Sequence, residues 1–319
     1  GNAISAQKEV ACEYIGIVYN LLSMSLKEPK SAQIKMVSPS GDTLLTNIDF
    51  SASWRYFLAG MLSSQADEVR YSFDQNNNGI LVVESFQPLS LAVFKRKIDA
   101  FFEEVQAKNC TSVYIDLRNN LGGLLRAEEY LFSYINTKQI AIKTNYLYKR
   151  SEYDRFSQLS PMQQMQFENR AKSVYPNGLI SKEYDFYKLP KGATFTILYD
   201  YIPENNRNYV YMGDCHLVLN GNSMSASVLF AAWFKHIDRG SILGSACMGG
   251  MGGTFGNPAI ITLSHSKVDV MVATLKFTPL HIRERSLTAI APDITIKATR
   301  EDLMEQRDPF LEFLKTYQK

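Results

Sequence analysis

Ser112-Val113-Tyr114-Ile115-Asp116-Leu117-Arg118-Asn119-Asn120-Leu121-Gly122-Gly123, read with its flanks, decides the fold. Its first half is a largely apolar run of strand length; its second half is a polar turn closing on two glycines. Ahead of it lie a buried-strand run at Ile80 to Val83 and a segment from Leu89 to Val105. In that segment Leu91, Phe94, Ile98, Phe101 and Phe102 fall on one helical side. Behind it, Leu124 to Ile135 reads as another helix. Strand, helix, strand, glycine turn and helix in succession call for an α/β core around a largely parallel sheet, because parallel neighbours need a crossover between them.

A second junction repeats the pattern. In Leu217 to Phe234, LVLNGNSMSASVLFAAWF, an apolar strand ends at Asn220-Gly221-Asn222, small hydroxyl residues follow, and an apolar helix begins at once. A serine there sits where the first helical N–H groups point outward and the dipole favours an anion. One turn can then supply both a nucleophile and an oxyanion stabiliser. Serine is also a favoured helix cap, so the segment by itself is equally a structural turn.

Outward from these two junctions the chain changes character. Val10, Tyr14, Ile17, Val18, Leu21, Leu22 and Leu26 recur at helical steps, and two short strands are expected around Ser38-Pro39-Ser40-Gly41-Asp42. Residues 1–74 are therefore expected to form a small accessory helix-plus-strand region, and residues 75–319 the core. Between about 149 and 207 the sequence turns polar and rich in Gln, Asn and Tyr, too long for a simple connection. An insertion is expected there, with a helix starting at Ser160-Pro161. Downstream, Ile242-Leu243-Gly244 reads as a short strand, and Ala259 to Leu263 with Val268 to Leu275 as an antiparallel pair.

Composition narrows the function classes. The chain has 319 residues, 45% hydrophobic and 21% charged, with formal net charge +2. That balance lacks the basic footprint of a nucleic-acid binder, and no apolar run reaches the ~18 residues of a membrane span. Cys12, Cys110, Cys215 and Cys247 are far apart without C-x-x-C spacing, so neither zinc nor any other metal or cofactor is implied. The opening Gly1-Asn2-Ala3-Ile4-Ser5 reads as a trimmed start whose export signal has been removed.

The motifs together resemble the C-terminal processing (tail-specific) serine peptidases, whose core is related to crotonase and ClpP. Ile80 to Val83 with Ser85-Phe86 looks like that family's core-opening segment, and Asp116 to Gly123 like its D-x-R-x-N-x-G-G turn. Asn222-Ser223-Met224-Ser225-Ala226-Ser227 is similar to its nucleophile turn. Ile290-Ala291-Pro292-Asp293-Ile294, followed by Asp308-Pro309-Phe310-Leu311, resembles its tail. The likeness runs from about Ile80 to the C-terminus. It implies a serine-type peptidase acting on a peptide or protein substrate, with Ser225 as nucleophile and Ser223 and Ser227 as rivals. It also implies an oxyanion hole from the Ala226 N–H and a backbone N–H in Gly122-Gly123. Asp116 and Arg118 are read as buttressing the turn, and Ser85 as a polar neighbour. A bacterial subgroup is the nearest likeness, which implies an exported envelope or periplasmic protein, with membrane attachment through a removed N-terminal lipid anchor.

The general base does not follow. The family's lysine falls at Gly250, with no lysine between Lys235 and Lys267, and the strand histidine of a related branch is absent from Leu81-Val82-Val83. His216, His236, His265 and His281 read as sheet, surface or turn residues. Glu84 is a geometric neighbour only, and Cys247 reads as a buried apolar residue rather than a second nucleophile. Two further functions therefore stand beside the peptidase: a catalytically inactive peptide-binding protein on the same fold, and a binder of a small apolar ligand.

Overall fold

The computed structural model describes residues 31–37, 43–49, 68–154, 157, 159–174, 188–283, 286, 288–299, 301–302, 305 and 307–316. The amphipathic stretch expected between Val10 and Leu26 lies outside them. Of the accessory region, β1 (Ser31–Val37) and β2 (Thr43–Asp49) form an antiparallel hairpin. The turn expected between them also lies outside the described residues.

The main sheet has six strands in the order β12-β9-β8-β5-β4-β3. These are β3 (Val69–Phe73), β4 (Gly79–Val83), β5 (Ser112–Asp116), β8 (Asp214–Leu219), β9 (Ile242–Gly244) and β12 (Ile294–Thr295). All neighbours run parallel except β3, which pairs antiparallel with β4. The central strands are apolar nearly throughout because both faces are covered. Alternation along the pleat divides them. Leu81, Val83, Val113, Ile115, Leu217 and Leu219 join one apolar cluster, and Ile80, Tyr114, Val218 and Leu243 join another. The first is covered by α1 (Leu91–Ala107), α2 (Leu125–Ser133) and α4 (Ala226–His236), the second by α5 (Pro309–Thr316) through Phe310 and Leu314. The mixed, largely parallel α/β core expected from the sequence is the one observed.

A second, antiparallel sheet runs β10-β11-β6-β7, built from β6 (Ile142–Lys149), β7 (Thr194–Tyr201), β10 (Thr254–Thr262) and β11 (Asp269–Pro279). The polar stretch expected as an insertion thus contains a sheet strand: β7 pairs with β6 along its whole length, from Ile142↔Tyr201 to Lys149↔Thr194. Alternating Thr, Phe and Tyr in a polar context hid it. Between these strands lies α3 (Pro161–Val174), which starts where Ser160-Pro161 placed it. β3 likewise lies ahead of residue 75, where the core was expected to begin.

Two acids are buried where α2 meets β7. Glu128 is 2% and Glu129 5% exposed. Glu128 Oε1 has no hydrogen-bond partner among the described residues. Burial, and then Glu129, push the Glu128 carboxyl well above the usual carboxylate range. Burial raises Glu129 from 4.5 to about 7, only partly offset by Tyr201, Arg126 and Tyr199. A carboxyl raised in the folded state binds its proton more tightly there than in the unfolded chain. Its contribution to stability is therefore complete below about pH 4.5 and is lost as the pH climbs through 7. Denaturant unfolding at pH 5 and pH 8 is expected to show the wild type losing on the order of 3 kcal/mol over that interval, from Glu129 alone. Glu129→Gln should lose measurably less; an equal loss would assign the pH dependence elsewhere.

Candidate active site

β5 and β8 are neighbours and parallel, so the turns that follow them emerge side by side at the same edge of the sheet. Brought together there are Asp116 to Gly123 and Asn220 to Ala226, two segments a hundred residues apart in sequence. The contact is made through polar groups that burial obliges to find partners.

Asn120, with no exposed surface, occupies the centre. Its Nδ2 donates to the Val83 carbonyl at 2.9 Å, and its Oδ1 accepts from the Gly122 N–H at 2.8 Å. Its own carbonyl accepts from Met224 N–H at 2.9 Å and from Ser227 Oγ at 3.0 Å. Ser223 is equally enclosed: its Oγ donates to Leu117 O at 2.8 Å and accepts from Asn220 N–H at 3.0 Å. Near the rim, Asn119 N–H donates to Asn220 Oδ1 at 2.9 Å, while Asn220 Nδ2 donates back to Asn119 Oδ1 at 2.7 Å. Asn119, Asn120 and Asn220 thus tie one turn to the other. Their role in joining the two turns depends on a tertiary contact.

This network separates the three serines. Ser223 and Ser227 have their hydroxyls engaged. Ser227 donates across to Asn120 O and not to its own helix. Ser225 is different: it stands at the cap position of α4, yet its side chain makes no capping bond. Its backbone sits at φ 55, ψ −113, a region that costs a non-glycine residue ~1–3 kcal/mol and collects at functional sites. Among the described residues no hydrogen bond involves Ser225 Oγ. A serine at a strained strand-to-helix turn with a free hydroxyl is the geometry of a nucleophile elbow.

The neighbouring N–H groups are equally selective. Ala226 opens α4, and its N–H, the first of the helix, has no partner among the described residues. Gly122 N–H is taken by Asn120. Gly123 forms a parallel bridge with Phe86, in which Phe86 N–H donates to Gly122 O at 3.0 Å and Leu124 N–H to Phe86 O at 2.7 Å. The bridged residue's own N–H is not engaged by Phe86 and makes no hydrogen bond among the described residues. Both glycines have positive φ, 96 and 142. A Cβ on Gly122 would fall 2.6 Å from Ser225 Cβ, and one on Gly123 would fall 2.2 Å from the Phe86 carbonyl carbon. Only glycine lets the two turns close to this distance.

Arg118 does buttress the turn with Asp116, and it reaches Asp308 as well. Ser85 Oγ accepts from Gln87 N–H at 2.9 Å, a local turn ahead of α1 that makes no hydrogen bond to Ser225. Gly250 bridges Gly253 in a tight turn. Its loop lies against the nucleophile turn, with Met248 N–H donating to Ser223 O at 3.0 Å, and its one titratable side chain, Cys247, is buried. His216 stacks on Tyr114 at 4.8 Å on the sheet. His236 and His281 stack 6.3 Å apart beyond the far end of α4, where burial and then His281 depress the His236 pKa. Cys247 is fully buried, its Sγ donating to Gly249 O at 3.1 Å, and burial pushes its thiol up. Among the described residues no cluster of His, Cys, Asp and Glu could hold a metal ion.

The family model for Peptidase family S41 matches residues 77–296. The chain belongs to peptidase family S41. Of solved structures, mature CPAF complexed with lactacystin is similar at 12% identity and TM-score 0.52, covering 91% of this chain and 67% of that one. A putative peptidase from Parabacteroides merdae is similar at 15% identity and TM-score 0.50, covering 97% and 87%. The photosystem II D1 C-terminal processing protease aligns at 14% identity and TM-score 0.43, covering 85% and 56%, too loosely to argue from. No curated protein matches the sequence. The first two likenesses carry the fold, and family membership carries serine-type peptidase chemistry in general terms.

Asn120→Ala is expected to lower unfolding free energy by about 2–4 kcal/mol, because it leaves Val83 O and Gly122 N–H buried without partners. Gly122→Ala should instead act on Ser225 directly, through a methyl that has no room. Denaturant unfolding and the reactivity of Ser225 toward a fluorophosphonate measure the two effects. A Gly122→Ala protein that reacts at the wild-type rate would contradict the close approach.

Proposed function

We propose that this S41 member is a serine-type peptidase in which Ser225 attacks the carbonyl of a peptide substrate. Ala226 and Gly123 N–H groups receive the oxyanion. The observation that carries the reading is the strained Ser225, its hydroxyl unbonded, packed against Gly122 and followed by the unpartnered Ala226 N–H. In the attack, Oγ forms a bond to the carbonyl carbon, the carbonyl π pair moves to oxygen, and the Oγ proton passes to a base. Collapse of the tetrahedral intermediate expels the amine, which takes up a proton, and water then releases the acid in the reverse sense. Preorganised backbone donors of this kind are each worth ~10²–10³ in rate. The base is unassigned. Envelope location and a removed lipid anchor remain part of the proposal, resting on the family resemblance alone.

A second reading has its own support. Glycine at 250, where the family carries lysine, and the lack of a titratable partner for Ser225 among the described residues suit a peptide-binding protein that has lost catalysis. Mixed-peptide hydrolysis and fluorophosphonate labelling separate the two. For a peptidase, wild-type protein hydrolyses and is labelled at Ser225, and Ser225→Ala abolishes both, with a rate loss of at least ~10³. Absence of labelling between pH 6 and 10, with peptide binding retained, would establish the inactive form instead.

A further inference from the structure

The underside of the active-site turn is held by the C-terminal segment. Arg118 projects toward the sheet face that carries α5. Its Nε donates to both Asp116 oxygens at 3.0 and 3.1 Å, and its Nη2 donates to Asp116 Oδ2 at 2.7 Å. From the other edge, Nη1 and Nη2 donate to the two Asp308 oxygens, each at 2.8 Å. The Phe310 ring centre lies 5.1 Å from the guanidinium carbon. Asp308 also caps α5, its Oδ1 accepting from Phe310 N–H at 2.8 Å and Leu311 N–H at 3.4 Å.

Every residue beside Arg118 holds the nucleophile turn. Leu117 O takes the Ser223 hydroxyl, Asn119 exchanges hydrogen bonds with Asn220, and Asn120 O takes Met224 N–H and Ser227 Oγ. A planar guanidinium gripped on one edge can swing about that edge; a second bidentate grip on the opposite edge fixes its plane. We infer that Asp308 is a positioning residue for the Ser225 site, fixing through Arg118 the turn that presents Gly123 N–H and anchors Ser225. The inference rests on reading Ser225 as the reacting group. Burial opposes both charges, and the mutual hydrogen bonds prevail: Arg118 is held above its ordinary range and Asp308 below the carboxylate range. The grip is therefore in force across neutral pH.

Asp308→Asn isolates the effect, since asparagine caps a helix as well as aspartate and leaves α5 its start while removing the charge from Arg118. Hydrogen exchange on the full chain reads the turn directly. Gly122 and Met224 N–H groups should exchange at least about tenfold faster in the variant, with α1 unchanged as the internal control. Fluorophosphonate labelling of Ser225 should slow by a similar factor, kcat should fall more than KM rises, and Asp308→Glu should recover part of the loss. Unchanged exchange at Gly122 and Met224 would overturn the inference, and so would acceleration spread equally over α1. A wild-type protein that is never labelled would defeat the nucleophile reading, while the exchange comparison would still decide the role of Asp308.

Discussion

The carboxamide of Asn120 is the constraint on which the rest of the site depends. Parallel strands β5 and β8 end side by side, and the turns beyond them carry more buried backbone polar groups than a ladder can pair. The carboxamide satisfies β4 through Val83 and its own turn through Gly122, and the main-chain carbonyl of the same residue takes Met224 N–H and the Ser227 hydroxyl of the opposite turn. Asparagine carries its donor and its acceptor on two separate atoms of a short planar group: aspartate lacks the donor, leucine lacks both, and a serine hydroxyl joins both on one atom with less reach. By engaging Gly122 N–H the carboxamide also decides which glycine N–H is left unbonded. One hydrogen bond thus satisfies the turn and leaves Gly123, not Gly122, with a free N–H among the described residues.

Strain at Ser225 is sustained by the same network. A serine held at φ 55 would relax if its neighbours allowed it, but Ser223 and Ser227 pin the backbone on both sides with fully buried hydroxyl bonds. Pressure from Gly122, whose Cα approaches too closely to carry a Cβ, leaves no path toward a relaxed cap geometry. Three serines alternate along one short segment because two of them hold the third.

Much of this was legible in the sequence, and the failures have physical causes. β4, β5, β8 and the helices α1, α2 and α4 were read correctly because two-sided burial makes their patterns apolar and periodic. β3 escaped because Val69-Arg70-Tyr71-Ser72-Phe73 is an edge strand with alternating polar residues, and β7 because its apolar positions sit inside a polar stretch. The serine turn and both glycines were recognisable by motif. Which glycine N–H is available was not, since it depends on a side chain two residues upstream. Asp308 is legible only as part of the tail motif; nothing local to it announces a partner 190 residues away.

The site divides its chemistry unequally between backbone and side chains. In the proposed reaction, oxyanion stabilisation would come from the Ala226 and Gly123 N–H groups and from the positive end of α4, an eleven-residue apolar helix. None of that depends on what stands at position 250. Proton removal, by contrast, rests on one side chain and can be lost by one substitution. A lineage that replaced its lysine with Gly250 would therefore keep a cleft complementary to a tetrahedral anion while losing most of its turnover. The strain at Ser225 bears on the choice between the two functions. A conformation that costs stability gives a mere binding protein no evident benefit, and the hydrogen bonds that would be needed to relax it are all committed to preserving it.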